Sequence, residues 1–206
     1  FIDRYGYPFC RGRIFDVVEK DCGQYDTVTE VMWVTGAALF IRLADYREVG
    51  GLDDHFFAHM EEIDLCWRLR SRGKKLVCIP QSVVYHVGGA TLKKENPRKT
   101  FLNFRNNLLM LYKNLPDKEL EHVLFIRGIL DRVAALVFYL KKDRANARAV
   151  MQARREFEDI RYSFAASRIE NIMKSTDEMI PERTHFSILM KYYLLGKKHF
   201  SQLKLF

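Results

Sequence analysis

The stretch that most constrains this chain is residues 56–91, where a cluster of acids opens a predicted helix. Glu61, Glu62 and Asp64 stand in the first turn of that helix, and Gly73 follows its last residues. Arginine, leucine and glutamate favour helix, and a glycine just past the last helical residue is a common stop signal. The pattern therefore predicts a helix that begins with three carboxylates and ends before residue 73.

A rotation of about 100° per residue divides this helix into two arcs. The apolar arc consists of Ile63, Leu65, Cys66, Trp67 and Leu69. Glu61 and Asp64 fall on the other arc, but Glu62 falls on the apolar one, between Leu69 and Cys66. A lone buried carboxylate is costly, so Glu62 needs a polar partner, a substrate or a raised pKa. The simpler interpretation, acids favoured by the helix dipole, suits Glu61 and Asp64 better than Glu62.

Apolar runs on both sides of this helix predict short strands. Residues 31–42 read as two strands interrupted at Thr35 and Gly36, and residues 76–79 and 83–87 read as two short buried strands. His86 ends the last of them, just before Gly88 and Gly89. A histidine at a strand end is usually only hydrogen-bonded, so its position alone assigns it no role.

Helices dominate the rest of the chain. Residues 44–49 predict a short helix ended by Gly50 and Gly51, with Asp53 and Asp54 capping the next turn. Longer helices are predicted over residues 97–115, 117–141, 144–164 and 185–195, with a loose polar segment after residue 167. Residues 1–30 predict a long irregular loop with one helical turn at residues 14–19. Such a loop either lines a ligand site or packs against a part of the protein outside this chain.

Net charge and cysteine content limit the kinds of partner and the compartment expected for this chain. The 206 residues carry a formal net charge of +8, which favours an anionic partner such as a phosphorylated substrate or anionic lipid. Nucleic acid is not expected, because no helix-turn-helix, zinc-finger or RNA-binding signature is present. The four cysteines show no C-x-x-C spacing, and Cys66 and Cys78 read as buried thiols in a reducing, cytoplasmic compartment. No signal peptide and no membrane-spanning stretch are predicted.

Four motifs in order carry a resemblance to a known family. They are GGLD at residues 50–53, EEIDL at residues 61–65, YHVGG at residues 85–89 and FRNN at residues 104–107. Together they resemble the second half of a family 2 glycosyltransferase catalytic domain, closest to bacterial rhamnosyltransferase-like enzymes of surface polysaccharide synthesis. The resemblance covers residues 31–115. It implies an α/β fold, a partial domain of GT-A type with short mixed strands and helices.

The resemblance also implies a domain organisation. Residues 1–115 would be the acceptor-side half of the catalytic domain, and residues 116–206 a mostly α-helical extension. The family's Asp-x-Asp metal motif is absent from this sequence. The nucleotide-binding half would therefore lie outside the chain, and the chain alone is expected to be inactive.

What the resemblance implies for the reaction is an inverting sugar transfer from a nucleotide-sugar to a saccharide or lipid-linked acceptor. Glu62 stands where the family has an aspartate base, and Glu61 would orient a sugar hydroxyl. His86 matches the histidine that helps to hold a divalent metal, Mn²⁺ or Mg²⁺, whose other ligands would come from the missing half. Substrate-binding positions carried over from the family are Thr35, Gly36, Ala37, Asp64, Arg105 and Asn106.

Several of these readings have alternatives. Asp64 competes with Glu62 for the role of base, and Arg105 can either face the diphosphate and the acids or pair with a structural acid. The whole chain could instead be a noncatalytic basic helical module for a membrane surface or a protein partner. Its basic and aromatic C-terminal helices suit a peripheral position on the inner face of the cytoplasmic membrane. An open sheet edge could also pair copies into a homo-oligomer.

Overall fold

The computed structural model describes residues 1–86, 96–176 and 180–205. It is a mixed α/β structure in which helices dominate and every described strand is two residues long. The helices are α1 (Leu43–Glu48), α2 (Glu61–Ser71), α3 (Pro97–Asn114), α4 (Asp117–Leu140), α5 (Arg144–Ile160) and α6 (Ala165–Met173). The strands are β1 (Arg13–Ile14), β2 (Val17–Val18), β3 (Thr29–Glu30) and β4 (Val77–Cys78). The predicted α/β class is confirmed at this level, while a GT-A fold stays a prediction.

Helix α3 is the centre of the structure. The Asn96 side chain accepts a hydrogen bond from the Arg98 amide, and Pro97 occupies the first helical turn, so the helix begins where its capping residues predict. Its apolar residues are buried among those of α2, α4 and α5, with Leu109, Trp67 and Phe157 in one cluster. This cluster joins residues from both sides of position 116. The division of the chain at that position stays a prediction.

The long helices were predicted well. Predicted helices over residues 97–115, 117–141 and 144–164 correspond to α3, α4 and α5, the last continued by a 3₁₀ turn over Arg161–Phe164. The short helix before Gly50 is α1. The prediction of a loose segment directly after residue 167 was wrong, because α6 continues to Met173 and buries Arg168 and Asn171. Near the C-terminus the predicted helix is confirmed only as a short helical segment that includes a π-helix over Met190–Leu194.

The strands were predicted poorly. β3 pairs antiparallel with β4, Thr29 opposite Cys78, and residues 36–38 form a 3₁₀ turn instead of a strand. Residues 83–86 are not strand, and Val77, Ile79, Val83 and Val84 are all exposed. The strand predicted over residues 76–79 is therefore confirmed as β4, but its predicted burial was wrong, and residues 83–86 do not form the second predicted strand. Cys78 is only half-buried, whereas Cys66 is buried. An apolar run of four residues does not itself determine whether a sheet will cover it.

The N-terminal segment packs on the C-terminal segment of the same chain. The predicted helical turn at residues 14–19 is instead the antiparallel hairpin of β1 and β2, with Phe15 at φ 51° in its turn. Phe1, Phe9 and Ile14 are buried with Ile188 and Phe200 in a second apolar cluster. Phe1, Phe9 and Ile14 thus have partners within the chain, while Val18 and Val28 are exposed, and the two explanations offered for this loop from sequence stay predictions.

Candidate active site

The loop before α2 holds a strained backbone. Phe57, His59 and Met60 have φ values of 60°, 69° and 72°, in the left-handed region that residues with side chains rarely adopt. Such conformations cost about 1–3 kcal/mol each and persist only where the surroundings impose them. Such conformations cluster at functional sites, so this loop is a candidate part of one.

Helix α3 imposes that conformation through Asn106. The Asn106 side chain has no exposed surface, and its Nδ2 donates to the carbonyl oxygens of Phe56 at 2.8 Å, Ala58 at 2.9 Å and His59 at 2.8 Å. Its Oδ1 accepts from Arg105 Nε at 2.9 Å. Two amide hydrogens are thus shared among three carbonyls. We call this arrangement the Asn106 clamp.

Arg105 supports the clamp from the same helix. One terminal nitrogen donates to the His55 carbonyl at 3.0 Å and the other to Glu156 Oε1 at 2.6 Å. The guanidinium therefore has a structural acid as its partner, which was the simpler of the two sequence interpretations. Arg105 and Asn106 contact the loop that carries the acids, and a direct contact with substrate stays a prediction.

The loop and the start of α2 present three polar atoms that lack partners. His59 Nε2, Glu61 Oε2 and Glu62 Oε2 are buried and have no hydrogen-bond partner in the described parts of the chain. Buried polar atoms are nearly always paired, so each exception requires an explanation. Three exceptions within four residues of sequence indicate a place where a polar ligand would complete the bonding.

The surroundings shift the protonation of two of these groups. Burial, and after it the Glu61 carboxylate, raises the pKa of Glu62. Burial, and after it the Lys99 ammonium, lowers the pKa of His59, so this imidazole is neutral near pH 7. Glu61 interacts electrostatically with both groups, and a carboxylate with raised proton affinity together with a neutral imidazole is suited to accepting and positioning protons.

Gly36 lies directly beside Glu62. A Cβ added to Gly36 would stand 3.8 Å from Glu62 Cβ, and Thr35, Gly36 and Ala37 are all exposed. The structure therefore brings the predicted glycine segment to the predicted base. A contact of Thr35 or Ala37 with substrate stays a prediction.

Asp64 has a different environment. It has no exposed surface, and its oxygens accept from Arg68 Nε at 2.9 Å, Lys113 Nζ at 2.9 Å and Asn114 Nδ2 at 2.8 Å. Asp64 and Arg68 belong to the arc that looked polar on the helical projection, and both are buried. Side chains of α3 are polar partners of Asp64, and the carbonyls of Val49 and Gly51 accept from Arg68. Asp64 ties α2 to α3 with both oxygens occupied, which favours Glu62 over Asp64 as the base.

His86 is exposed, and Gly88 and Gly89 of its motif lie outside the described residues. No three histidine, cysteine, aspartate or glutamate side chains come together as a metal site among residues 1–86, 96–176 and 180–205. The described residues therefore do not fit a complete metal site, and no contact brings His86 to Glu62. The metal role of His86 stays a prediction.

A separate cleft of about 440 Å³ lies between residues 49–55 and α6. Its charged lining includes Arg68 and Lys113, but both are engaged, Lys113 with Asp53 at 2.7 Å and with Asp64 at 2.9 Å. Glu61 and Glu62 do not line it. The carboxylates of Glu61 and Glu62, each with an oxygen that has no partner among the described residues, identify the candidate site better than the cleft does. The size of a cleft does not by itself indicate a reaction.

His59 is the site residue that sequence reasoning missed. It stands two positions before the acidic pair in an otherwise apolar run, FFAHM, and no spacing rule selects it. Its importance arises from the loop conformation: the Asn106 clamp fixes its carbonyl, and its buried Nε2 has no hydrogen-bond partner among the described residues.

The Asn106 clamp generates a stability prediction. Asn106→Ala leaves three carbonyls without their donor and should lower the free energy of unfolding by at least about 2 kcal/mol. It should also accelerate amide exchange in residues 57–61. The matched control is Asn103→Ala on the same helix, which removes one bond to the Lys99 carbonyl and should cost about 1 kcal/mol or less. Equal losses for the two variants in denaturant unfolding would contradict the clamp.

A second prediction concerns pH. Because the folded-state pKa of Glu62 lies above its ordinary value of 4.5, the folded chain binds more protons than the unfolded chain between those two values. The resulting stabilisation is present at low pH and is lost as pH rises through the folded-state pKa. Glu62→Gln should therefore be more stable than the native chain at pH 7, with the difference shrinking toward pH 4.

Denaturant unfolding from pH 4 to pH 8 measures this difference. Glu121→Gln, at an exposed position on α4, is the control and should change the free energy of unfolding by no more than about 0.5 kcal/mol, as is usual for surface substitutions. A Glu62→Gln variant less stable than the native chain at pH 7 would mean that the carboxylate has a structural partner.

Comparison with known proteins supports the resemblance in part. No protein-family model matches the chain, and no solved structure matches it. The chain is 31% identical over 141 residues to the pre-mycofactocin glycosyltransferase of Mycobacterium tuberculosis, covering 63% of this chain and 29% of that protein.

Two further relatives are named rhamnosyltransferases. Over 56 residues the chain is 38% identical to the N-acetylglucosaminyl-diphospho-decaprenol L-rhamnosyltransferase of Mycobacterium tuberculosis, covering 27% of this chain and 18% of that protein. Over 69 residues it is 33% identical to rhamnosyltransferase WbbL of Escherichia coli, covering 34% and 25%. The chain thus spans less than a third of the length of the curated relatives it matches. It is similar to bacterial glycosyltransferases over part of their length.

Proposed function

We propose that this chain is the acceptor-side part of an inverting glycosyltransferase. The donor is a nucleotide-sugar and the acceptor a saccharide or a lipid-linked saccharide, which is the kind of acceptor that one relative's name contains. Residues 1–115 belong to the catalytic domain, of GT-A type, and residues 116–206 form its helical extension. The nucleotide-binding half lies elsewhere in the protein, so the chain alone has no turnover.

The observation that carries the proposal is the Glu62 carboxylate. It is half-buried at the first turn of α2, has one oxygen without a partner among the described residues, and lies beside Gly36. Burial raises its pKa, which strengthens it as a proton acceptor. In the proposed step, Glu62 removes the proton of an acceptor hydroxyl while that oxygen bonds to the anomeric carbon. The bond from that carbon to the nucleoside diphosphate breaks, and the leaving group takes its electron pair.

The neighbouring groups have supporting roles. Glu61 Oε2 and neutral His59 Nε2 bind hydroxyls of the acceptor, since a neutral imidazole can either donate or accept. Gly36 lies beside Glu62, and with Thr35 and Ala37 it lines the acceptor position in this proposal. The contacts of Arg105, Asn106 and Asp64 support a role in positioning the loop and α2, and their binding of substrate is a further part of the proposal.

A divalent metal, Mn²⁺ or Mg²⁺, is part of the proposal as the family resemblance implies it, and no step above runs through it. His86 is the one ligand that this chain would contribute. If it does, His86→Ala in the complete protein should raise the metal concentration needed for half-maximal transfer about tenfold, as loss of one ligand weakens binding. His122→Ala, an exposed histidine on α4, is the control. An unchanged metal requirement for His86→Ala would remove it from the ligand set.

The alternative function is a noncatalytic basic helical module that binds a membrane surface or a protein partner. Its supporting observation is the exposed apolar side of α4 beside basic residues. For either function we propose a cytoplasmic location, peripheral at the inner face of the membrane, and no nucleic-acid partner. Homo-oligomers are a further proposal, which light scattering would test. Sugar transfer by the complete protein separates the two functions.

The decisive prediction concerns the rate of sugar transfer by the complete protein. Glu62→Gln in the complete protein should lower kcat by about 10²–10⁴, because a positioned general base supplies that much. Glu62→Asp should retain part of the activity, since a shorter carboxylate keeps the chemistry. The control, Glu121→Gln, replaces an exposed glutamate of α4 and should turn over normally. Near-normal turnover of a folded Glu62→Gln variant would reject Glu62 as the base.

A further inference from the structure

Helix α4 leaves a long apolar face uncovered. Its exposed large apolar side chains are Phe125, Ile129, Val133, Leu136, Val137, Tyr139 and Leu140. At about 100° per residue they fall within an arc of about 160° on one side of the helix. We call this set the α4 apolar face. Phe125 at one end and Leu140 at the other are 68% and 71% exposed, so the face is open along its whole length.

The fold does not use this face. The opposite side of α4 supplies the buried residues Val123, Leu124, Arg127 and Ala135, which face the rest of the chain. Monomeric proteins rarely expose a contiguous apolar patch of this length without a partner. The face therefore points to something outside the described chain.

Charge around the face identifies the partner. From Phe125 to Lys142 the sequence contains one acid, Asp131, which is fully buried and pairs with Arg127 and Arg154. From residue 125 to residue 144 the exposed charges on and next to the face are Arg132, Lys141, Lys142 and Arg144, all positive. Asp143 is half-buried and caps α5 by accepting from Asn146, and the exposed Glu121 lies one turn before Phe125. Arg144 lies over the Tyr139 ring, 5.8 Å from its centroid, at the basic end. The surface is apolar along its centre and cationic at its border and C-terminal end.

We infer that the α4 apolar face binds the surface of an anionic lipid bilayer. Helices that lie in the bilayer interface combine one apolar side bearing Phe and Leu with Lys and Arg along its borders, and they sink about 5–10 Å into the headgroup region. Tyrosine suits the boundary between acyl chains and headgroups. Within the described residues no helix combines the length and apolar content needed to cross a membrane, so α4 lies along the surface. Its 24 residues extend about 36 Å over that surface.

A second copy of the chain fits this face less well. Residue 132 is at the middle of the span from 125 to 140, so antiparallel pairing of two such faces brings two Arg132 side chains together. Parallel pairing instead brings together the basic ends that contain Lys141 and Lys142. Antiparallel pairing also sets Glu121 of each copy against the basic end of the other, but it leaves the two Arg132 side chains facing each other. Anionic headgroups neutralise both Arg132 and the basic end.

The inference deepens the proposed peripheral location and rests on that part of the proposed function. It does not depend on sugar transfer, because vesicle binding needs neither nucleotide-sugar nor acceptor. A failure of transfer and a failure of binding are therefore separate results.

The test is sedimentation of the full chain with lipid vesicles. Vesicles of phosphatidylcholine with about one third phosphatidylglycerol should bind the native chain at least tenfold more tightly than phosphatidylcholine alone, and added salt should weaken the binding, as surface charge attraction is screened. Ile129→Ser with Leu136→Ser, both at exposed positions, should reduce binding at least tenfold and leave the unfolding transition unchanged. The matched control, Phe40→Ser with Leu194→Ser, changes exposed apolar residues outside the face and should bind as the native chain does.

Three outcomes would overturn the inference. The first is equal binding by the native chain and by the Ile129→Ser, Leu136→Ser variant. The second is binding to neutral and anionic vesicles alike. The third is a native dimer in light scattering that this variant dissociates, with no binding to vesicles, which would assign the face to a second copy.

Discussion

The Asn106 side chain is the contact on which the candidate site depends. Its bonds to three carbonyls of the loop before α2 hold Phe57, His59 and Met60 at positive φ. Those residues determine where α2 begins and hence which way Glu61 and Glu62 point. Because a buried amide that serves three acceptors cannot rotate without losing several bonds, the clamp opposes any change in the loop backbone before α2.

A charged network behind the clamp fixes the other end of the same arrangement. Asp64 takes hydrogen bonds from Lys113 and Asn114 of α3 and from Arg68 one turn along α2. Removing a partner from such a buried network is far more costly than removing an exposed ion pair, since the remaining charge would be buried alone. The first turn of α2 therefore contains two kinds of acid. Asp64 is fully satisfied and structural, whereas Glu61 and Glu62 each retain an unpaired oxygen within the described structure.

Sequence alone predicted the features that depend on local order. The helices predicted over residues 97–115, 117–141 and 144–164 correspond to α3, α4 and α5, and the helical projection made Glu62 unusual among its neighbours. It failed where a distant partner decides. The projection could not show that Lys113 of α3 pairs with Asp64, and the apolar run could not show that Val83 and Val84 stay exposed. His59 was missed for the same reason, since its strained backbone exists only because of a helix about fifty residues away.

Two parts of the molecule contain residues that lower the stability of the fold. Glycine at position 60 would relieve a positive φ, and an apolar residue at position 62 would avoid a buried unpaired oxygen. Likewise, polar residues on the outer side of α4 would remove an exposed apolar face without disturbing its buried side. The unsatisfied groups differ in kind: carboxylate and imidazole atoms at one place, aliphatic and aromatic side chains with cations at the other. A polar acceptor and a lipid surface would satisfy them separately, and an acceptor that carries its sugar on a lipid would need both.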